Sequence, residues 1–181
     1  MSFENLWAGW RSAYVNSVSA PDSSGSERRS PDRAAIDDEA ACVFCRLIAS
    51  DAPLETRNIV FESELSVAML NAFPYASGHL LTMPRRHVSD LAGLTPAESD
   101  DLWRVTTMGA KAIEAAYGAE GMNIGANLGR AAGAGIPRHL HLHALPRWIG
   151  DTNFMTSVAS IRVMPEALSD SYAKLKANWP T

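Results

Sequence analysis

Residues 138–148 have the sequence RHLHLHALPRW, in which three of the chain's five histidines occupy alternate positions. In a β-strand, side chains two residues apart lie on the same face. The spacing therefore predicts a strand with His139, His141 and His143 on one face and aliphatic residues on the other. Pro137 and Pro146 flank this strand, and we expect them to mark its ends because proline interrupts strand pairing.

Three imidazoles on one strand face indicate chemistry rather than packing. Imidazole binds metals and anions, and near neutral pH it acts as an acid, a base or a nucleophile. The alternative is a tolerated surface strand, but the alternating aliphatic residues indicate that the opposite face is buried. The triad is therefore the first candidate for a functional site.

Length and composition limit the kind of protein. With 181 residues, the chain can form one domain with a sizeable core and an additional segment. A formal net charge of -4 and an isoelectric point near 5.7 argue against a general nucleic-acid-binding surface. No apolar run reaches the length of a membrane span, and residues 1–10 lack the features of a signal peptide. We expect a soluble, cytoplasmic protein without nucleic-acid or membrane partners.

The two cysteines of the chain, Cys42 and Cys45, have the spacing Cys-x-x-Cys. In a cytosolic protein this spacing favours metal binding or redox chemistry over a structural disulfide. The spacing alone leaves a metal site and a free thiol pair about equally supported. A thioredoxin-like redox role lacks the βαβ pattern that it requires.

Residues 1–40 differ in composition from the remainder of the chain. Residues 1–15 contain two tryptophans and a tyrosine, and we expect this aromatic segment to dock on the main domain or on a second subunit. Residues 16–40 are rich in serine, proline and charge, which predicts a flexible linker because little apolar surface is available to offset the entropy of ordering. Residues 41–181 remain as the main domain.

Periodicity within the main domain predicts strands and helices in alternation. The predicted strands are 59–62, 65–70, 78–83, 121–128 and the triad strand. A short helix is predicted over 42–48, a long helix from the capping box Thr95-Pro96-Ala97-Glu98 to Gly118, and a final helix over 165–178. The glycine-rich loop 129–136 leads into the triad, and its backbone N–H groups are candidates for a phosphate cradle.

Further short motifs surround the triad. They are Cys42-Val43-Phe44-Cys45, Gly78-His79-Leu80-Leu81 and Pro84-Arg85-Arg86-His87. Together with His-Leu-His-Leu-His-Ala-Leu at 139–145, they resemble the histidine triad family, whose motif is His-φ-His-φ-His-φ-φ with φ apolar. The flanks 6–11, 127–130 and 148–155 resemble the bacterial branch of diadenosine tetraphosphate phosphorylases or hydrolases. The resemblance covers residues 3–15 and most of 42–179.

The resemblance implies a fold and an activity. The fold is α+β, a five-stranded antiparallel sheet with two main helices that pairs into a homodimer with one continuous sheet. The activity is cleavage of dinucleoside polyphosphates, above all diadenosine tetraphosphate, at the α-phosphorus through a nucleotidyl-histidine intermediate that phosphate or water resolves.

The resemblance also implies residue roles. The resemblance makes His141 the nucleophile. Because His143 lies on the same face, we expect it to donate to a phosphate oxygen or to the leaving group, and from its place in Gly-His-Leu-Leu we expect His79 to have a structural or supporting role. The expected ligands of a structural zinc ion are Cys42, Cys45, His87 and His139. The expected nucleotide- and phosphate-binding residues are Asn71, Asn127, Gly133, Gly135, Phe44 and Trp148. The alternatives are a turn-forming role for Asn71 and plain packing for Phe44 and Trp148. One departure is clear, because Gly135 and Ile136 stand where many relatives have Gln followed by Ser or Thr.

Three other functions remain open at the level of sequence. One is a purine nucleoside phosphoramidase, which needs only a mononucleotide pocket. Another is a dimeric nucleotide-binding module with little turnover. A metalloenzyme that uses the triad itself as three zinc ligands is the third, but it leaves the cysteines without a role.

Overall fold

All five predicted strands form one antiparallel sheet in the computed structural model, which describes residues 42–151 and 166–180. The strands are β1 (Ile59–Glu62), β2 (Ser66–Leu70), β3 (Leu80–Pro84), β4 (Gly121–Ala126) and β5 (Leu142–Arg147). Their order across the sheet is β1-β2-β3-β5-β4, so the strand that carries the end of the triad lies inside the sheet and β4 lies at its edge. The predicted α+β class is confirmed. The predictions for residues 1–40 lie outside the described residues.

Three α-helices accompany the sheet within the described residues. They are α1 (Val43–Ala49), α2 (Pro96–Tyr117) and α3 (Leu168–Ala177). The predicted capping box is present at the start of α2: the Glu98 N–H donates to the Thr95 hydroxyl, and the Glu98 carboxylate accepts from the Thr95 N–H. Gly118 ends the helix in the left-handed conformation, as predicted. No helix of the described residues is long and apolar enough to cross a membrane.

Side-chain alternation along the strands sends neighbouring residues to opposite faces of the sheet. On one face, Ala68, Leu70 and Leu80 pack with Val105 and Ile113 of α2 and with Leu175 of α3. On the other face, Val67, Met69 and Leu81 pack with Cys42 and Phe44 at the start of the chain's described part. The long helix therefore covers one face, and the short α1 segment with its cysteines covers the face that bears the histidines.

The triad strand begins later than the sequence predicts. His139 and His141 precede β5, which starts at Leu142, because the Leu140 N–H donates to the carbonyl of Val88 in the β3–α2 connection rather than to a strand. The prediction that Pro146 marks the end of the ladder is also wrong. Pro146 lies within β5 and is paired with Met122, and proline is tolerated there because the pairing of β5 with β3 ends at Ala144.

Candidate active site and metal-ligand cluster

The three histidines share one side of the chain, as their spacing predicts. His141 and His143 have ring centroids 5.1 Å apart, and Phe44 of α1 contacts the rings of His139 and His141 edge-on at 5.5 and 5.2 Å. Leu140 and Leu142 point to the opposite side, where they pack with Leu102 of α2. The back of this segment is therefore buried in the core, and the histidines face the α1 side.

His141 is held in one tautomer by the backbone. Its Nδ1 lies 2.7 Å from the carbonyl oxygen of His139. A carbonyl oxygen only accepts, so Nδ1 carries the hydrogen and Nε2 keeps its lone pair. Burial lowers the pKa of His141, which favours the neutral ring. This arrangement has the features of an imidazole nucleophile.

His143 is oriented by His79, a side chain that is fully buried. The Tyr75 N–H donates to Nδ1 of His79 at 3.1 Å, and the Asn71 amide lies 3.3 Å from the same atom. Nδ1 of His79 is therefore an acceptor, so its Nε2 carries the hydrogen and donates to Nδ1 of His143 at 2.9 Å. The remaining hydrogen of a neutral His143 then lies on Nε2.

Nε2 of His143 is buried and has no hydrogen-bond partner among the described residues. Burial, together with the nearby His141, lowers the pKa of His143 and favours its neutral form. An oriented N–H without a protein partner is costly unless a ligand accepts from it. This atom is therefore a donor suited to an anionic substrate.

The sequence alone does not predict the contact between His79 and His143. The sequence predicts only a structural or supporting role for His79. The missing information is the strand register: Leu81 is paired with His143, and His79 lies two residues before Leu81 on the same face. Once that register is known, an alternating His-Leu-Leu stretch beside the triad indicates the contact.

Four predicted metal ligands converge at one point although they are far apart in sequence. The ligand atoms of Cys42, Cys45, His87 and His139 all lie within 4.8 Å of one another. Sγ of Cys42 is 3.5 Å from Nδ1 of His139, and Sγ of Cys45 is 3.2 Å from Nδ1 of His87. Tetrahedral zinc with normal bond lengths places sulfur and nitrogen ligands about 3.5 Å apart. The cluster therefore fits a four-coordinate metal.

The protonation of His139 also suits a metal ligand. Its Nε2 lies 2.9 Å from the Pro84 carbonyl oxygen and must donate to it, which leaves the lone pair of Nδ1 directed at the two thiols. Burial lowers the pKa of His139 to about 4, so the ring is neutral at physiological pH. No other group of three or more potential metal ligands is present among the described residues. Of the three triad histidines, only His139 belongs to this group.

The glycine-rich loop uses part of its backbone for its own turn. Gly133 is left-handed at φ 87°, and its N–H donates to the carbonyl of Arg130. The N–H groups of Gly135 and Ile136 make no hydrogen bond within the described residues, so they are the better candidates for binding a phosphate. The side chain of Ile136 packs against the cluster that contains Cys42 and Phe44.

The other predicted binding residues occupy varied positions. Ala126 is paired with Leu142, so Asn127 follows at the level of His141. Asn71 ends β2, and its side-chain oxygen accepts from the Phe73 N–H, as a turn-forming asparagine does. Phe44 is almost completely buried against the histidines. Trp148 is partly exposed directly after β5, where its backbone N–H donates to the Asp151 carboxylate.

Known proteins are similar to this chain in sequence. An AP-4-A phosphorylase of Mycobacterium tuberculosis (strain CDC 1551 / Oshkosh) is 40% identical over 121 residues, which cover 67% of this chain and 62% of the relative. The asymmetrical bis(5'-nucleosyl)-tetraphosphatase of Schizosaccharomyces pombe is 37% identical over 89 residues, covering 49% of this chain and 48% of that protein. This chain thus matches less than two thirds of the length of either relative.

A solved structure has a similar fold. The Zn-bound histidine triad family protein from Mycobacterium smegmatis superposes with a TM-score of 0.63 at 31% identity, covering 78% of this chain and 95% of that one. The HIT domain family model matches residues 54–148, more than half of the sequence. The chain, with its histidine triad and antiparallel sheet, belongs to the HIT domain family.

Proposed function

We propose that this protein cleaves dinucleoside polyphosphates, with diadenosine tetraphosphate as the leading substrate, through a nucleotidyl intermediate on His141. The observation that carries the proposal is the hydrogen bond from Nδ1 of His141 to the His139 carbonyl, because it leaves Nε2 as a neutral nucleophile. The names of the two curated relatives, a phosphorylase and a tetraphosphatase of such substrates, support this substrate class.

The first step is attack of His141 Nε2 on the α-phosphorus. The N–P bond forms while the bond to the bridging oxygen breaks, and the electron pair departs with the polyphosphate. The His141 ring becomes cationic, and its Nδ1–H continues to donate to the His139 carbonyl. His143 donates a hydrogen bond from Nε2 to a phosphate or bridging oxygen, where negative charge develops. A polyphosphate is a good leaving group, so a neutral donor suffices.

The second step releases the nucleotide. An oxygen of water or of inorganic phosphate attacks the phosphorus and gives up its proton to solvent, the N–P bond breaks, and the electron pair of that bond returns to Nε2 of His141, which is again neutral. The N–H groups of Gly135 and Ile136 and the side chain of Asn127 are the candidate phosphate contacts. With Gly135 and Ile136 in place of the polar side chains common in relatives, backbone donors carry more of this task.

Product analysis tests the proposal. Purified protein is incubated with diadenosine tetraphosphate, with and without phosphate: ADP plus ATP indicates phosphorolysis, and AMP plus ATP indicates hydrolysis at the α-phosphorus. ADP alone would indicate cleavage between the two β-phosphates and would contradict attack at the α-phosphorus. His141→Ala should reduce the rate at least a hundredfold and abolish labelling of the protein by substrate radioactive at the α-phosphorus. Lys111→Ala, an exposed change on α2, is the matched control. A smaller loss in His141→Ala contradicts the nucleophile assignment.

The cysteine–histidine cluster is proposed to hold a structural zinc ion. Cys42, Cys45, His87 and His139 would supply two thiolates and two imidazoles, a set that leaves no open coordination position. The metal would fasten α1 to the segment that bears the nucleophile. Metal analysis should find one zinc per chain, which Cys42→Ser with Cys45→Ser removes and His141→Ala with His143→Ala retains. Zinc that persists in the double cysteine variant contradicts this site.

A homodimer is proposed to form through the edge strand β4. Ile124 on this strand is 43% exposed, and strand edges with exposed apolar residues readily pair with a second edge. Light scattering should give the mass of two chains for the wild type, and of one chain for Ile124→Lys. The control Thr107→Lys, exposed on α2, should leave the mass unchanged. A monomeric wild type rejects the dimer.

A further inference from the structure

Tyr75 makes two different contacts with the histidines of the proposed site. Its backbone N–H donates to Nδ1 of His79 at 3.1 Å. Its ring lies against His79 at a centroid distance of 4.7 Å and is nearly parallel to the His143 ring, with a centroid distance of 6.0 Å and an angle of 14°. One residue of the β2–β3 loop therefore contacts both members of the hydrogen-bonded histidine pair.

The nearly parallel Tyr75 ring restricts the orientation of His143. His143 is only partly buried, and within the part of the chain that the structure describes its side chain is held by the hydrogen bond between Nδ1 and His79. Rotation of the ring by half a turn would place a carbon against His79 and turn Nε2 away from its present position. The Tyr75 ring lies nearly parallel beside the His143 ring, so it restricts this rotation, while the Tyr75 N–H fixes which nitrogen of His79 donates.

We propose that Tyr75 is a positioning residue that holds His143 with its Nε2–H directed at the phosphate chain of the substrate. This proposal rests on the proposed function in one respect, which is that the group accepting from His143 is the phosphate chain of the substrate. Tyr75 is 46% exposed, so it lies outside the buried core, and its ring contacts include both histidines. Its ring, rather than its hydroxyl, makes these contacts.

Imidazole nitrogen NMR tests the orientation without any substrate. In the wild type and in Tyr75→Phe, the His143 signals should show one tautomer with the hydrogen on Nε2. In Tyr75→Leu, which keeps the backbone N–H but lacks the parallel ring, the signals should shift toward an average of both tautomers. Wild-type signals in Tyr75→Leu overturn the proposal.

Steady-state kinetics with diadenosine tetraphosphate give the second measurement. Tyr75→Leu should lower kcat about three- to tenfold, the range that one aromatic pair supports, with little change in KM. Tyr75→Phe should restore kcat to within about twofold of the wild type, since it retains the ring. A change in KM alone, or equal loss in both variants, overturns the proposal. A wild type without turnover would refute the proposed function, while the NMR result would still decide the role of Tyr75.

Discussion

Glu98 connects the start of α2 to the segment that carries a predicted metal ligand. Its carboxylate accepts from Nε and Nη2 of Arg86 at 2.8 and 2.7 Å, and from the Thr95 N–H at 2.8 Å. Arg86 directly precedes His87 in the chain. Replacing Glu98 with glutamine keeps the shape of the side chain and removes its charge, so it measures the ionic part of this connection.

The magnitude follows from the pKa of Glu98. The hydrogen bonds from Arg86, and next those from Thr95, lower this pKa from 4.5 to about 2. That difference corresponds to roughly 3 kcal/mol of stability at neutral pH. The Arg86 side chain is 50% exposed, so solvent screening reduces the value, and we expect Glu98→Gln to cost about 2 kcal/mol.

The stability that the Glu98 carboxylate contributes depends on pH. A carboxylate with a depressed pKa stabilises the fold above its unfolded pKa, and this contribution is lost as the pH falls through the folded value. Urea unfolding should therefore show the full difference between wild type and Glu98→Gln at pH 7, and less than half of it at pH 3. Asp100→Asn, an exposed change two residues further along, should cost at most about 0.5 kcal/mol. A loss in Glu98→Gln that is as small as this, or that does not shrink in acid, refutes the reasoning.

Three further predictions concern the site and its supports. Gly78→Ala places a Cβ 2.5 Å from the Tyr117 ring at a residue with φ +75°, and urea unfolding should show a free energy of unfolding lower by about 3 kcal/mol. Gly118 also has a positive φ but open space around it, so Gly118→Ala should lower the free energy of unfolding by only about 1 kcal/mol. His79→Leu should lower kcat at least tenfold, and His79→Gln, which can still donate to His143, should lose less; equal losses would contradict the role of the hydrogen bond. Treatment with a zinc chelator should lower the melting temperature of the wild type and leave that of the Cys42→Ser, Cys45→Ser variant unchanged.

Local patterns predict much of this fold because their causes are local. The capping box of α2 and the alternation of His139, Leu140 and His141 depend on neighbours a few residues away, and both are present in the structure. The point where β5 begins depends instead on which group pairs with Leu140. That partner is Val88, far away in the chain, so periodicity alone extends the strand too far.

Contacts between distant residues were predictable only where a family motif supplied them. Cys42 and His139 are 97 positions apart, and no spacing rule joins them, although the resemblance does. The contact of His79 with His143 depends on the register of β3 against β5, which hydrophobic patterning does not specify. The stacking of Tyr75 depends on the path of a loop, which is less predictable still.

His139 contacts both the cysteine–histidine cluster and the proposed nucleophile His141. Its side chain faces the thiols, and its carbonyl oxygen accepts from Nδ1 of His141. In the proposed mechanism, a metal bound at Nδ1 of His139 would restrict the same residue whose carbonyl would accept from the cationic, nucleotidylated ring of His141. Binding free energies are reciprocal, so a metal that stabilised the covalent intermediate would be held more tightly, by the same factor, while the intermediate persists. Metal retention would then vary through the catalytic cycle, and the metal would leave the resting enzyme first.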